Sequence, residues 1–244
     1  MKQLTKSSIA GLEDKTMGEI LKNYIFPDTF YPVPKFKDYI YLGSQRSYCK
    51  GETVLLPDEV LGRIIFVLSG KLNVSKITED GREKFVYSAG QFCFMDRLFT
   101  FENDHMQIVA IEDSKVCLFS KEQLLAAFKQ DEELIIDVLR HYDSKVYYFM
   151  NLNSEINLYS PSVRLLRLFY ELSHSKGEYD KGVWKVEIEL TNKKISEITG
   201  LHYVTVSKIL GSLKKAGILK KRKSKIIIYD LEKLKALLEE GIAY

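Results

Sequence analysis

LTNKKISEITGLHYVTVSKILGSLKKAGIL, residues 190–219, is the stretch that decides the fold of this chain. Ile195 and Ile198 mark a short first helix, and Gly200 can supply the left-handed residue that ends it. A second helix follows, and its expected buried stripe consists of Val204, Val206, Ile209, Leu210 and Leu213. Two short helices joined by such a turn predict a helix-turn-helix, with an ordinary pair of packed helices as the alternative.

Polar side chains lie between the expected buried positions of the second helix. These residues are His202, Tyr203, Thr205, Ser207 and Lys208. Hydrogen-bonding groups of this kind contact the bases and phosphates of nucleic acids. The pattern therefore indicates a helix that contacts DNA.

The residues that flank this stretch predict strands. KVEIEL, residues 185–190, alternates like a strand, Thr191 is placed to cap the first helix, and Gly217 is placed to end the second. ILKKRKSKIIIYDL, residues 218–231, gives two strands around residues 222–224. A basic hairpin that follows a recognition helix predicts a winged helix.

The formal net charge of +3 hides an asymmetry between the two parts of the chain. Residues 161–244 carry 17 Lys and Arg against 10 Asp and Glu, a net charge of +7. Residues 1–160 carry 19 against 23, a net charge of −4. Because DNA is a polyanion, only the C-terminal part suits it as a partner.

Length and composition predict a globular protein with room for two domains, since 244 residues are 45% hydrophobic and 28% charged. No run of eighteen apolar residues occurs, and the first 22 residues lack a signal-peptide pattern, so we expect a cytoplasmic protein without a membrane partner. Cys49, Cys93 and Cys117 form no CxxC pair. We therefore expect reduced thiols and neither a zinc site nor a disulfide framework.

The N-terminal half predicts an antiparallel roll. Residues 24–42 combine three prolines with seven aromatic residues and are interpreted as a covering segment. Residues 47–119 then alternate short apolar runs with glycines, which is typical of short strands joined by turns. Asp80-Gly81 is a strong hairpin signal. The apolar runs are ETVLL, RIIFVLSG, KLNVSKI, KFVYSAG, QFCFM, QIVAIE and KVCLFS.

A short helix over residues 122–128 and a long one over residues 132–159 follow the roll. The long helix carries apolar residues at intervals of three and four, which predicts a coiled-coil seam and a parallel dimer. The seam positions are Ile135, Val138, Tyr142, Lys145, Phe149, Leu152, Ile156 and Tyr159. Two alternatives stay open: Lys145 extends from the edge of the seam, or the stripe passes through Leu139 and Val146 instead.

Ser160 and Pro161 break the long helix, and the pair is placed to begin a further helix over residues 162–173. We interpret this pair as a hinge. The predicted architecture is α+β, with an effector-binding β-roll and its N-terminal cover in residues 1–130, a dimerisation helix in 131–160 and a winged helix-turn-helix domain in 161–244.

These parts, in this order, resemble the Crp/Fnr family of bacterial transcription regulators over nearly the whole chain. In the roll the resemblance is carried by KGE (50–52), IIFVLSGKLNV (64–74), DGRE (80–83) and AGQF (89–92). IFPDTF, RLLRLFYELSHSKG and ISEITGLHYVTVSKIL are similar to the CprK-type regulators of reductive dehalogenation in halorespiring bacteria. The resemblance implies a jelly roll of the cyclic-nucleotide-binding type, a homodimer, and RNA polymerase as a partner.

Differences between this sequence and other branches of the family restrict the kinds of effector and cofactor that we expect. Cyclic-AMP binders carry a Gly-Glu pair where this chain has Phe94-Met95, and they carry an Arg-Ser pair that is absent between residues 99 and 112. Oxygen sensors hold an iron–sulfur cluster with cysteines mostly near the N-terminus, but the first cysteine here is Cys49. Four scattered histidines, His105, His141, His174 and His202, do not indicate a metal or haem site. We expect no such cofactor.

The CprK resemblance implies an aromatic, anionic effector. It assigns the effector contacts to Tyr87, Arg97, Asn103, Asp104, Tyr142 and Lys145. Chlorine lowers the pKa of a phenol, so a chlorophenol is largely phenolate near neutral pH while its dechlorinated product is neutral. Lys145 could distinguish the two by charge. Where the CprK-type proteins favour Lys, this chain has Arg97, which keeps an aryl carboxylate open as an alternative.

The family resemblance also assigns the DNA contacts. Base contacts come from Tyr203, Val204, Ser207 and Lys208. Phosphate contacts come from Lys193, Lys194, Lys220, Lys221, Arg222, Lys223 and Lys225. Many Fnr-like proteins have an acidic residue at the position of Val204, whereas valine packs on a thymine methyl, which predicts an A/T-rich palindrome such as TTAAT-N4-ATTAA.

The expected function is that of a homodimeric activator controlled by an effector such as an ortho-chlorophenol. A redox-controlled regulator of the same fold is the first alternative, with Cys49 as its one serious sensor candidate, since Cys93 and Cys117 lie in apolar strand patterns. A cupin-like enzyme fused to a DNA-binding tail is the second. That enzyme would need a histidine or carboxylate cluster in the roll, and no spacing indicates one.

Overall fold

The computed structural model of the chain describes residues 30–57, 59, 62–95 and 105–241. The backbone forms two compact units whose boundary lies between Tyr148 and Phe149. The predicted α+β class is confirmed, with antiparallel sheets in the first unit and a helix-turn-helix in the second. None of the helices among the described residues combines the length and the apolar character that a membrane span requires.

The first unit is built on two antiparallel sheets. One sheet has the order β1-β7-β3, and the other has the order β2-β6-β4-β5. The strands are β1 (Ser44–Tyr48), β2 (Thr53–Leu55), β3 (Ile64–Ser69), β4 (Leu72–Ile77), β5 (Glu83–Ala89), β6 (Met106–Ala110) and β7 (Ser114–Phe119). The predicted hairpin at Asp80-Gly81 joins β4 to β5, and Gly81 has the positive φ of 77° that this turn requires.

Two features of the sheets differ from the prediction. QFCFM forms no strand; it makes an isolated bridge from Phe94 to Phe66 and backbone hydrogen bonds to Ile65 and Val67 of β3. In contrast, SQRSY forms β1 although it has no apolar alternation. It is an edge strand that pairs with β7, and four of its five residues are exposed, so the apolar pattern that reveals a half-buried strand is missing.

A cluster of phenylalanines fills the first unit. Phe36 comes from a 3-10 helix, Pro34–Leu42, and packs edge-on against Phe66, Phe94 and Phe119 at centroid distances of 5.2, 4.8 and 5.2 Å. Each side chain of this size contributes about 1.5–3 kcal/mol on burial. The described part of the proline-rich segment therefore covers the core, as predicted.

Two helices complete the first unit. Helix α1 (Lys121–Gln130) begins at a capping box between Ser120 and Gln123. Helix α2 (Glu133–Leu158) is the predicted long helix and continues into the second unit.

The predicted seam of α2 is wrong in part, because Val138 and Lys145 face the core of their own unit. The exposed stripe passes through Leu139 and Val146, which was the open alternative. Large exposed apolar residues of α2 are Ile135, Ile136, Leu139, Val146, Tyr147, Met150, Ile156 and Leu158. The helix thus has two neighbouring apolar faces, and residue spacing alone does not show which of them packs on the core of the unit.

The second unit is a winged helix. It contains α3 (Pro161–Lys176), β8 (Gly177–Asp180), β9 (Val183–Glu187), α4 (Asn192–Thr199), α5 (Tyr203–Lys215), β10 (Leu219–Lys221), β11 (Lys225–Ile228) and α6 (Leu231–Glu239). Its strands form one antiparallel sheet in the order β10-β11-β9-β8. Helices α4 and α5 are the helix-turn-helix, and the hairpin β10-β11 is the wing.

The predicted starts of α3 and α4 and the glycines expected after α4 and α5 are confirmed, whereas α3 ends at Lys176 and not at the predicted residue 173. The Thr191 hydroxyl accepts a hydrogen bond from the Lys194 amide at 3.0 Å, and Gly200 ends α4 in the left-handed region at φ 68°. Gly217 follows α5 with a φ of 71°. The Ser160 hydroxyl accepts from the Val163 amide at 3.4 Å, so Ser160 caps α3.

Candidate functional sites

Lys145 lies at the centre of the predicted effector site in the first unit. Its side chain is buried, with 2% of the residue surface exposed. The ammonium group donates a hydrogen bond to the Phe94 carbonyl oxygen at 2.6 Å. Three aromatic rings surround the nitrogen, with centroid distances of 4.7 Å to Tyr87, 5.4 Å to Tyr142 and 5.4 Å to Phe30. Three of the predicted effector residues are thereby brought together.

His141 and Tyr142 extend the same site by one turn of α2. The Tyr142 hydroxyl donates to the Met95 carbonyl oxygen at 3.1 Å. The His141 ring is buried between two carbonyl oxygens, with Nδ1 2.6 Å from Tyr31 O and Nε2 3.0 Å from Phe94 O. Carbonyl oxygens only accept, so this geometry is satisfied when both ring nitrogens carry protons.

His141 belongs to the site, although the scattered histidines of the sequence indicate neither a metal nor a haem site. The signal that could have found it is its spacing, since residues four apart lie on one face of a helix and Lys145 is four residues further on.

Arg97, Asn103 and Asp104 lie outside the described residues, between Met95 and His105. Their assignment to the effector site stays a prediction. The residues directly before this segment belong to the described part of the site, because side chains of α2 donate hydrogen bonds to the carbonyl groups of Phe94 and Met95.

An ammonium group buried among aromatic rings suits a ligand that is both aromatic and anionic. The rings can stack on an aromatic ligand, while the ammonium group can donate a charge-assisted hydrogen bond to an anionic oxygen. Among the residues that the structure describes, no group of three or more His, Cys, Asp or Glu is arranged to hold a metal ion.

The three cysteines differ in exposure. Cys49 is exposed and lies in the turn after β1, where its amide donates to the Glu52 carboxylate at 2.8 Å. Cys93 and Cys117 are buried. Burial raises the pKa of the Cys117 thiol to about 11, which keeps it protonated at neutral pH.

Helix α5 presents the predicted base-contacting side chains at its N-terminal end. Tyr203 and Val204 are 53% and 48% exposed, and His202 and Lys208 are also exposed. Thr205 and Ser207 are half-buried.

The expectation that Val204 belongs to the buried stripe is wrong. Residues two apart on a helix differ by about 200° in direction, so Val204 and Val206 cannot share a face. The buried stripe of α5 consists of Val206, Ile209 and Leu213, with Leu210 half-buried beside it. Val204 thus remains available for a base contact.

His202 caps α5, because its Nδ1 atom accepts a hydrogen bond from the Val204 amide at 3.3 Å. This contact requires a lone pair on Nδ1. The Ser207 hydroxyl accepts from the Asn192 amide group at 3.2 Å, which ties α5 to the start of α4.

The predicted phosphate-contacting cations differ in their surroundings. Lys193 on α4 is exposed, whereas Lys194 is half-buried with its Nζ atom 3.9 Å from Glu197. In the wing, Arg222 and Lys223 lie exposed at the tip. The remaining wing residues are half-buried, namely Lys220, Lys221 and Lys225.

Two acidic residues lie close to cations of the wing, namely Glu187 in β9 and Glu189 after it. Lys225 forms an ion pair with Glu187, and the Lys223 Nζ atom lies 4.0 Å from Glu189. Burial lowers the pKa of Lys221 below its ordinary value of 10.5. Among the cations of the described wing, Arg222 and Lys223 are therefore the most exposed and the best placed to contact phosphates.

Two family models match the chain. The Crp-like helix-turn-helix domain matches residues 163–237, and the cyclic nucleotide-binding domain matches residues 45–131. The first covers α3 to α6, and the second covers the strands of the first unit together with α1.

Two solved structures of CprK are similar to this chain. OCPA-complexed CprK, in a cysteine-to-serine variant, is 39% identical, with a TM-score of 0.82 over 87% of this chain and 97% of that one. Oxidized CprK in complex with o-chlorophenolacetic acid is also 39% identical, with a TM-score of 0.52 over 88% and 91%.

A curated relative extends the comparison to a second branch. The CRP-like cAMP-activated global transcriptional regulator of Mycobacterium tuberculosis is 21% identical over 187 residues, which are 76% of this chain and 84% of the relative. The same family is indicated by both domain models, by the match to CprK over nearly its full length and by the winged helix. The chain belongs to the Crp/Fnr family of DNA-binding transcription regulators.

Proposed function

We propose that the chain is a homodimeric activator that binds an A/T-rich palindrome of the TTAAT type when a halogenated aromatic anion, such as an ortho-chlorophenolate, occupies the site around Lys145. The observation that carries the proposal is the ammonium group of Lys145, buried among the rings of Phe30, Tyr87 and Tyr142. A neutral phenol would gain much less from this cation than a phenolate.

The chemistry of chlorophenols supports this assignment. Chlorine withdraws electron density and lowers the phenol pKa, so the chlorinated compound forms a phenolate in the site more readily than the dechlorinated product does. The site can therefore distinguish the two compounds by charge as well as by size. The similar protein CprK is described in complex with o-chlorophenolacetic acid. Arg97 keeps an aryl carboxylate within the proposal, since arginine binds carboxylates bidentately.

The exposed stripe of α2 supports a homodimer. Leu139, Val146 and Met150 are 58%, 54% and 64% exposed in one chain, and they recur at the intervals of a helix seam. Leaving several large apolar side chains in water is unfavourable by about 25 cal/mol per Å² of apolar surface. A second copy packed along this stripe would cover them.

The recognition helix supports an A/T-rich site. Val204 is exposed and cannot accept a hydrogen bond from a base, but it can pack on the methyl group of thymine. Two recognition helices in a symmetric dimer read half-sites about one helical turn apart. Contacts to RNA polymerase complete the proposed activator, and no cyclic AMP, haem or iron–sulfur cluster is part of it.

Effector control is proposed to work by differential affinity. The effector binds one arrangement of the chain more tightly, the residues around Ser160 and Pro161 act as the hinge, and that arrangement presents both recognition helices to DNA.

The proposal is tested by fluorescence anisotropy of the full chain on TTAAT-N4-ATTAA. The titration is repeated with ortho-chlorophenol, o-chlorophenolacetic acid, their dechlorinated counterparts and aryl carboxylates. Chlorinated compounds should tighten DNA binding at least tenfold, and dechlorinated ones should leave it unchanged. An equal Kd with every compound would refute the effector assignment and leave the family function standing.

A second candidate is a redox-controlled regulator of the same family. The observation in its favour is the exposure of Cys49. DNA binding that responds to oxidant but not to chlorophenols would favour this candidate. No enzymatic activity is proposed for either.

A further inference from the structure

The carboxyl ends of two helices in the second unit meet at a single side chain, Arg164 of α3. Its Nε atom donates to the carbonyl oxygen of Thr199, the last residue of α4, at 3.1 Å. Its Nη1 atom donates to the carbonyl oxygen of Tyr159 at 3.1 Å and lies 3.4 Å from that of Ile156. One guanidinium group thus holds the end of α2 and the end of α4 together.

The chemistry of helix ends explains why an arginine occupies this position. The last carbonyl groups of a helix have no partner within the helix and carry partial negative charge. A guanidinium group has five N–H donors in one plane, so it can reach two helix ends in different directions. A lysine has the same charge but only one nitrogen, and it cannot span both ends.

The neighbouring contacts make this junction rigid on the side of the helix-turn-helix. The Thr199 hydroxyl donates to the Ile195 carbonyl oxygen at 2.7 Å, and Thr199 is buried. The Ser196 hydroxyl donates to the Leu201 carbonyl oxygen, which spans the turn. Because these hydrogen bonds link α4 to the turn, a displacement of Thr199 also displaces the turn that positions the first residue of α5.

The last turns of α2 also approach this turn directly. A Cβ atom added to Gly200 would lie 3.9 Å from the Ile156 Cδ1 atom. Arg167, one turn after Arg164, pairs with Glu155 at 3.0 Å and lies over the Tyr159 ring at 4.5 Å. The contacts described for Arg167 reach Glu155 of α2 and Tyr159 directly after it but not the helix-turn-helix, so Arg167 serves as a matched control for Arg164.

We infer that Arg164 is a positioning residue that couples the last turns of α2 to the helix-turn-helix, so that a displacement of one is passed to the other. The coupling itself requires only the DNA-binding function of the family. Its use by an aromatic effector rests on the function proposed above. Arg164 does not touch bases in this role, because its donors are engaged with backbone carbonyl groups.

The test uses the full chain and measures whether DNA binding at α4–α5 changes the last turns of α2. Hydrogen–deuterium exchange is measured with and without a duplex that wild-type protein has selected from a random pool. In wild type and Arg167→Lys, DNA should slow exchange at least threefold both in α4–α5 and in residues 153–160. In Arg164→Lys, the slowing in α4–α5 should persist, while that in residues 153–160 should fall below 1.5-fold.

A second variant and a second readout separate coupling from misfolding and from effector binding. Arg164→Gln should give the same exchange pattern, and far-UV circular dichroism checks that each variant is folded. With ortho-chlorophenol, the variants should bind the effector with wild-type Kd, whereas the effector-induced gain in DNA affinity should fall to less than twofold.

The inference is overturned if both folded Arg164 variants keep the wild-type slowing in residues 153–160, or if wild type shows none. A wild-type protein whose DNA affinity ignores every phenol would instead contradict the proposed effector, and the exchange data would still decide the role of Arg164.

Discussion

The ammonium group of Lys145 lies 2.6 Å from the carbonyl oxygen of Phe94, and this contact joins α2 to the end of the roll's core. Phe94 bridges to Phe66 of β3 and packs on Phe36, so its backbone is fixed from the other side. The ammonium group is consequently held in place by the fold itself.

Lys145→Met should weaken effector binding while leaving most of the packing intact, because methionine retains part of the apolar stem. Loss of a charge-assisted hydrogen bond of about 1.5–3 kcal/mol corresponds to roughly 10–150-fold in affinity. Isothermal titration calorimetry with ortho-chlorophenol measures the change. Lys115→Met, at an exposed position of β7, is the control and should bind as wild type does. Wild-type affinity in Lys145→Met would contradict the site.

Val204→Glu should change the sequence preference of the protein. A carboxylate accepts a hydrogen bond from cytosine N4, so the inner half-site position should shift from A·T to G·C by about 1–3 kcal/mol. Binding-site selection from a random pool measures the preference. Val204→Ala keeps an apolar contact and should retain the A/T-rich site; an unchanged preference in Val204→Glu would show that Val204 does not contact a base.

Gly200→Ala and Gly211→Ala should affect stability with opposite signs. Gly200 has a φ of 68°, where a Cβ atom costs about 1–2 kcal/mol. Gly211 lies within α5, and a Cβ atom there would meet no atom within 4 Å, so alanine should stabilise the helix by about 0.5–1 kcal/mol. Urea unfolding followed by circular dichroism measures both. Equal signs for the two variants would be inconsistent with the backbone conformations described.

The contact between Lys35 and Asp131 should make the first unit sensitive to acid. The hydrogen bond from Lys35, at 2.6 Å, lowers the pKa of Asp131 below its ordinary value of 3.8. Because the folded-state pKa is depressed, the stabilisation is present above about pH 3.8 and is lost as the pH falls through the folded-state pKa. Asp131→Asn should therefore be less stable than wild type at pH 6, and the two should converge at lower pH in urea unfolding. A constant difference from pH 6 to pH 2 would exclude this linkage.

Iodoacetamide at pH 8 should label Cys49 in the folded protein and spare the other two thiols. Cys93 and Cys117 are buried, and the pKa of Cys117 is raised to about 11. All three should react in urea, which mass spectrometry of tryptic peptides detects. If Cys49→Ser keeps its response to ortho-chlorophenol and loses a response to oxidant, Cys49 is a redox sensor as well.

Much of the second unit could be predicted because its boundaries are marked by residues with a local physical role. Thr191 caps α4, Gly200 supplies the left-handed turn, and Gly217 follows α5. The prediction that Val204 is buried is wrong because apolar character alone does not determine burial, and the direction of Val204 on the helix opposes that of Val206.

The first unit was less predictable where the determining contacts are distant in sequence. β1 owes its position to hydrogen bonds with β7, and its exposed side chains leave no pattern. The direction of Lys145 depends on which of the two apolar faces of α2 packs on the roll, and that choice is made by Phe94 and its neighbours, about fifty residues earlier.

The hydrogen-bond acceptor described for Lys145 is a backbone atom, and this restricts how the proposed effector preference can be altered. Any residue at position 94 retains a carbonyl oxygen, so substitutions there cannot remove the acceptor. A change of ligand preference would instead have to come from the side chains around the ammonium group, which are Tyr142 and Lys145 of α2, Tyr87 of β5 and Phe30. If the proposed effector is correct, libraries for a biosensor of chlorinated phenols are therefore best placed at these side chains.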